Sequence, residues 1–293
     1  MSIQEICRVE EQTRLGEGLY KMVLNAPEIV GLTQCGQFVH IACGEGHLLR
    51  RPISICLAEE CLLTVVYQVK GDGTRWLSER KAGDELDILG PLGHGFDVAA
   101  LGANPVLIGG GIGVPPMLMT AKSAKTAGAQ PRAILGFRNQ GAVILEDAFR
   151  AVGETFVTTD DGSYARHGFV TDVLKEQIAT ATGVAACGPK PMLKAIAAIA
   201  KEAGVKAEDI LDTDLFLYNR MTGTLLGADG EFLASPHLDD LQCAFSSLKG
   251  FLAAEPKDSV AVHCVYDNEE VGSGTKQGAE STFLKDILHR INT

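Results

Sequence analysis

The chain has 293 residues, 46% hydrophobic and 22% charged, a composition that suits about two globular domains. Its formal net charge of −11 would repel a phosphate backbone, which excludes a nucleic-acid partner. No stretch approaches the roughly 18 continuous apolar residues of a membrane span. The polar start MSIQEICRVEEQ is no signal peptide, so a cytoplasmic location without membrane attachment is expected.

Residues 1–100 alternate short apolar runs with glycine and turn residues, as in GQFVHIAC (36–43), ISICLA (53–58), LLTVVYQV (62–69) and DELDILGPLG (84–93). With no long helical pattern before 74–81, this spacing predicts an antiparallel β-barrel or sandwich. From 101 to 205 the rhythm changes. Strands at 132–139, 155–161 and 184–188 alternate with helices at 146–153, 170–179 and 190–204, and 104–128 reads as strand, glycine turn and helix. Strand and helix in strict alternation predict a parallel α/β sheet. Residues 206–293 form a third block, in which SVAVHCVY reads as a buried strand. There, Leu238, Leu241, Phe245, Leu248 and Leu252 recur at helical spacing, with Asp239 in the first turn.

Eight cysteines are scattered without a C-x-x-C pair, so zinc and iron–sulfur clusters are not expected from them. The chemistry-bearing stretches lie elsewhere. Arg51-Pro52-Ile53-Ser54 offers a cation and a hydroxyl on one strand, although a surface arginine beside a structural serine is the plainer reading of that tetrapeptide alone. Gly71-Asp72-Gly73-Thr74 opens a helix, where backbone amides and the Thr74 hydroxyl face a phosphate. Gly109-Gly110-Gly111-Ile112-Gly113-Val114-Pro115-Pro116 joins a strand to a helix. Read from Gly111, it has Pro116 where the usual dinucleotide fingerprint has its third glycine. Proline is tolerated there, in the first turn of a helix.

In this order, R-P-I-S, G-D-G-T, G-P-L-G, G-G-G-I-G-V-P-P and the run from Cys187-Gly188-Pro189 to Met192 resemble the ferredoxin–NADP reductase superfamily. RRPISI followed by YQVKGDGT is most similar to the electron-transfer subunit of NAD-dependent dihydroorotate dehydrogenase. The resemblance covers about residues 5–205. It implies FAD held by Arg51, Pro52, Ile53 and Ser54, with Val66, Tyr67 and Gln68 lining the isoalloxazine and Gly73 and Thr74 on the phosphates. NAD(H) would then meet Gly109, Gly110, Gly111, Gly113 and the turn of Cys187, Gly188 and Pro189. Cys187 would lie at the nicotinamide–flavin contact; a buried strand-end thiol is the alternative. The implied chemistry is hydride transfer between NADH and FAD, in pyrimidine biosynthesis, with a dihydroorotate dehydrogenase catalytic subunit as partner. The same resemblance implies a [2Fe–2S] segment after residue 205. Here only Cys243 and Cys264 follow, so no iron–sulfur cluster is expected.

In the third block, DLFLYN, SPHLDDLQCAFSSLKGFL and VYDNEEVGSGTKQGAESTFL resemble the aspartyl aminopeptidase family of dinuclear zinc peptidases. That resemblance implies Asp239 and Glu270 as zinc ligands and Glu269 as the general base. Acidic loops of this kind are more often merely solvated. With part of the family's ligand set absent, the expectation is a truncated α/β metallopeptidase-like segment with an incomplete zinc site and no peptidase activity. Three readings therefore stand side by side: a flavoprotein module, a zinc aminopeptidase, and a fusion in which neither works fully.

Overall fold

A computed structural model of the chain describes residues 2–44, 47, 49–204, 224–226, 232–234, 238–254, 262–265 and 282–291. The chain divides into two compact units, Met1–Leu211 and Asp212–Thr293.

The first unit opens with β1 (Ile3–Gly16) and β2 (Leu19–Asn25), joined by a two-residue link in which Gly18 takes a φ of +65°. A short helix, α1 (Pro27–Leu32), precedes β3 (Phe38–Ile41), β4 (Arg51–Glu59) and β5 (Leu62–Gln68). Helix α2 (Asp72–Ser78) then leads into β6 (Glu85–Leu92). The six strands close a barrel in the order β1-β2-β5-β4-β3-β6, every pair antiparallel. Closure leaves no strand edge unpaired. Inward residues such as Met22, Leu24, Ile41, Ile55, Leu63 and Ile88 are fully buried, and Leu77 of α2 joins them as a plug. Burial of side chains of this size contributes about 1.5–3 kcal/mol each.

Next come β7 (Pro105–Gly110), α3 (Val114–Thr126), β8 (Arg132–Phe137), α4 (Glu146–Arg150) and β9 (Glu154–Thr159). They are followed by β10 (Arg166–His167), α5 (Val170–Gln177), β11 (Gly183–Cys187) and α6 (Lys190–Glu202). All pairs in this sheet are parallel, in the order β10-β9-β8-β7-β11. Central β7 is buried at every position, as a strand covered on both faces must be. Leu19, Cys56 and Val66 on the outside of the barrel share one apolar cluster with Leu107, Val114 and Met117. Lys122 of α3 pairs with Glu59 of β4 at 2.7 Å across the same seam. The fold is thus an antiparallel barrel followed by a parallel α/β sheet.

In the second unit, β12 (Thr224–Leu226) pairs antiparallel with β13 (Phe232–Ala234), and two helices follow, α7 (Leu238–Ala253) and α8 (Phe283–Ile291). Asp239 lies in the first turn of α7, as its spacing predicts. The buried strand expected in SVAVHCVY is not found at 262–265, which are irregular, with Val262 and Val265 more than half exposed. An apolar run becomes a strand only where a neighbour takes its hydrogen bonds, and none of the described residues pairs with this one.

Candidate functional site

Two adjacent arginines, one just before β4 and one at its first position, part company at once. Arg50 turns to β6, where its guanidinium reaches the Asp87 carboxylate at 2.6 Å and the Asp87 carbonyl at 3.0 Å. Arg50 and then Gln4 hold the Asp87 carboxyl below the usual carboxylate range. Arg50 is therefore part of the barrel wall. Arg51 goes the other way, to the start of α2. A Cβ placed on Gly73 would stand 2.3 Å from Arg51 Nε and 2.7 Å from its Cζ, so the guanidinium lies directly on the glycine's Cα.

That junction brings a fixed cation to the end of a helix whose first amides have no partner within the helix. Arg75 N already donates to Gly71 O at 2.9 Å, which leaves the amides of Asp72, Gly73 and Thr74 as the helix's unpaired first turn. The Thr74 hydroxyl is used differently from its sequence reading. It accepts from Lys70 N at 2.9 Å and Gly71 N at 3.2 Å, and donates to Gly71 O at 3.0 Å. It fastens the turn from within, so an anion at this place meets backbone amides and Arg51.

The end of β5 supplies an edge beside this cradle. Val66 is buried in the cluster shared with α3, and Gln68 is exposed. Tyr67, between them, points into the barrel: its ring stacks on Tyr20 at 5.9 Å and its hydroxyl donates to Gln12 Oε1 at 2.9 Å. Burial pushes the phenol far above its ordinary range. What Tyr67 presents outward is its backbone. On β4, Ile53 is likewise a core residue, while Pro52 is exposed and Ser54 half-buried. Arg51 and Ser54 are three apart on one strand, hence on opposite faces by simple alternation, and it is Arg51 that bends towards Gly73.

The glycine loop and the Cys187 turn meet at the ends of β7 and β11. Strands β8, β9 and β10 lie to one side of β7 and β11 to the other, so the strand order reverses between β7 and β11 while all strands stay parallel. Open parallel sheets bind ligands at such a crevice, outside the carboxyl ends of the strands. In register, Cys187 lies opposite Gly109. A Cβ on Gly113 would meet Cys187 O at 2.3 Å, and one on Gly110 would meet Met192 Sδ at 2.5 Å. Gly188 Cβ would stand 3.2 Å from Gly110 Cα. These glycines let two backbones touch. Gly111, exposed at a φ of +54°, makes the turn itself, and Pro115 and Pro116 start α3 where no amide is needed. Pro189 caps α6 in extended conformation. Burial pushes the half-buried Cys187 thiol up, which keeps it protonated at neutral pH.

Cation, free helix amides, an extended strand edge and a switch-point crevice form a donor set that fits a dinucleotide with a flat ring. The site is not an enclosed pocket. Recesses of about 440 and 510 Å³ open elsewhere, one beside Glu59 and Lys122, the other beside Arg150 and Tyr164. The metal reading has no comparable support. Among the described residues no group of three His, Cys, Asp or Glu side chains comes together. Glu269 and Glu270 lie outside the described residues, as does the side chain of Asp239.

One site residue was absent from the sequence reading. Gln12, on β1, accepts from Tyr67 and donates to two carbonyls at the far end of α2. No local pattern marks it, since its partners are 55 to 68 positions away.

Comparison with known proteins agrees with this fold. The chain is 42% identical over 201 residues to the "Dihydroorotate dehydrogenase B (NAD(+)), electron transfer subunit" of Geobacillus thermodenitrificans, a match covering 66% of this chain and 77% of that one. It is 43% identical over 199 residues to the protein of the same description from Streptococcus thermophilus, again covering 66% and 77%. Among solved structures, an NADH-dependent reduced ferredoxin-NADP oxidoreductase aligns with a TM-score of 0.62 at 28% identity, over 69% of this chain and 74% of that one. An Amycolatopsis cytochrome P450 reductase shares the fold at 22% identity, with a TM-score of 0.61 over 71% and 68%. The family model described as aminopeptidase I zinc metalloprotease (M18) matches residues 168–293. Its first part overlaps α5, β11 and α6, which are built into the parallel sheet by the pairing of β11 with β7.

Proposed function

The chain belongs to the family of the electron-transfer subunits of dihydroorotate dehydrogenase B, and from that premise we propose that it binds FAD and NAD(H) and carries reducing equivalents between them. FAD, when bound, supplies the redox chemistry by exchanging a hydride with the nicotinamide. The chain's own residues bind and orient. Arg51 and the first amides of α2 neutralise the pyrophosphate. Ser54 and the backbone edge of Val66, Tyr67 and Gln68 lie along the ring. Gly109, Gly110, Gly111 and Gly113, with Cys187, Gly188 and Pro189, receive the nicotinamide dinucleotide at the switch point. Cys187 acts there by contact, because its raised pKa disfavours a thiolate. The apolar seam of Cys56, Val66 and Val114 keeps water from the joint behind. Hydride transfer asks no side chain to give or take a proton.

The observation that carries this reading is the seating of the Arg51 guanidinium on Gly73, at the mouth of α2. Its test is the quenching of FAD fluorescence on titration with the purified chain. Saturable quenching that Arg51→Ala weakens supports the reading; a parent chain that leaves FAD fluorescence unchanged contradicts it.

The proposal extends to a partner, a dihydroorotate dehydrogenase catalytic subunit, as the other party to the electrons. Beyond residue 205 the chain offers only Cys243 and Cys264, both exposed, and a [2Fe–2S] centre takes four ligands. We therefore assign this chain no cluster of its own. The M18 match motivates a second reading, zinc-dependent peptidase chemistry at Asp239, Glu269 and Glu270. Two ligands fall short of the three or four that hold a zinc ion, so that activity is expected to be absent.

A further inference from the structure

Gln12 sits on β1 with every strong hydrogen-bonding direction of its amide nitrogen used. Nε2 donates to Leu77 O at 3.0 Å and to Arg80 O at 2.9 Å, while Oε1 accepts from the Tyr67 hydroxyl at 2.9 Å. Leu77 and Arg80 mark the end of α2, where the Leu77 carbonyl also accepts from Arg80 N at 3.1 Å in the closing turn. Tyr67 lies between the two outward residues of β5 that flank the proposed ring. One amide thus ties the helix that offers the pyrophosphate its amides to the strand that offers the ring its edge.

The two attachments work as a lever. Helix α2 has seven residues, so its anchored end lies only about 10 Å from its free one. The anchored end also carries Leu77 in the barrel core and the Arg80 guanidinium 4.0 Å above the Trp76 ring. At the free end, Gly73 touches Arg51. A shift at Gln12 therefore reaches the Arg51–Gly73 contact through about two rigid turns. We propose that Gln12 is a positioning residue that sets the distance between the pyrophosphate cradle and the ring edge, so that both halves of FAD are held at once. This rests on the FAD reading given above.

The experiment compares Gln12→Leu, Tyr67→Phe and Ile88→Ala, the last a barrel-core control on β6 that makes no hydrogen bond to α2 through its side chain, in the full-length protein. Two quantities are read: the FAD dissociation constant by fluorescence quenching, and the visible circular dichroism of the bound flavin, which reports the ring's surroundings. Loss of the Gln12 amide leaves the Arg80 carbonyl and the Tyr67 hydroxyl without that partner and frees Leu77 O of its side-chain tie, and the dissociation constant is expected to rise roughly tenfold with an altered dichroism band. Tyr67→Phe keeps the bonds to α2 and is expected to raise it about threefold; it carries the test if Gln12→Leu does not fold. Ile88→Ala should lower the melting temperature and leave both flavin readouts as in the parent. Unchanged affinity and dichroism in the Gln12 and Tyr67 variants would overturn the inference. So would an equal loss in Ile88→Ala, which would mean general destabilisation. A parent that binds no FAD is a different result, and it removes the underlying function as well.

Discussion

At Gly73 a single methyl group decides whether two parts of the site can meet. Alanine there places Cβ 2.3 Å from Arg51 Nε, and a flexible arginine yields by swinging away. The expected result of Gly73→Ala is a folded protein whose FAD dissociation constant is about tenfold higher, because a charge-assisted contact is worth roughly 1.5–3 kcal/mol. Fluorescence titration checks it, and parent-like affinity would mean that Arg51 does not face the cofactor. The buried thiols give a second residue-scale expectation. Burial raises Cys7 and Cys56 from their ordinary 9.0 to about 12. Between these values the folded state holds protons that the unfolded state has released, so stability falls as pH rises. The melting temperature should drop as pH climbs above about 9, and less steeply in a Cys7→Ala, Cys56→Ala double variant.

Among the elements, α2 does most to build the site and was only partly legible. Its sequence reading at 74–81 starts two residues late and runs three past the observed Asp72–Ser78, because the amphipathic pattern continues into Arg80 and Lys81 after the helix has ended. Strands β4, β5 and β6 lie within a residue or two of their runs at 53–58, 62–69 and 84–93, since each alternates cleanly or is bounded by turn residues. In contrast, α1 and β10, six and two residues long, are too short to show a period. The glycines and Arg51 were readable as motifs. The inward turn of Tyr67 was not, because Val65, Val66 and Tyr67 are all buried, on two different faces, and alternation vanishes when both sides of a strand are covered. Gln12 was invisible for the reason that its partners are brought to it only by barrel closure. Leu77→Ala tests the helix as a unit. Emptying a fully buried leucine site should cost about 2–5 kcal/mol in urea unfolding and loosen FAD more than an equal loss at Ile88; equal loosening would deny α2 a special part.

For the whole molecule, the two units carry unequal claims. In the first, barrel and sheet share a continuous apolar seam, and the glycine loop and the Cys187 turn lie at the ends of the neighbouring strands β7 and β11. Among the described residues the second contributes a two-stranded sheet and two helices, and of its peptidase-like residues Asp239 and Glu270 make two ligands where zinc takes three or four. The full-length protein supplied with zinc should therefore leave an aspartyl chromogenic peptide uncleaved; steady hydrolysis, abolished by a chelator, would restore the peptidase reading.

The most direct test of electron transfer is an anaerobic titration of the FAD-loaded protein with NADH, followed in the visible flavin band. Passage of hydride between the switch-point crevice and the Arg51 cradle predicts that the band bleaches in proportion to NADH added and returns when air is admitted. A protein that holds FAD but keeps its band unchanged through excess NADH would contradict the account.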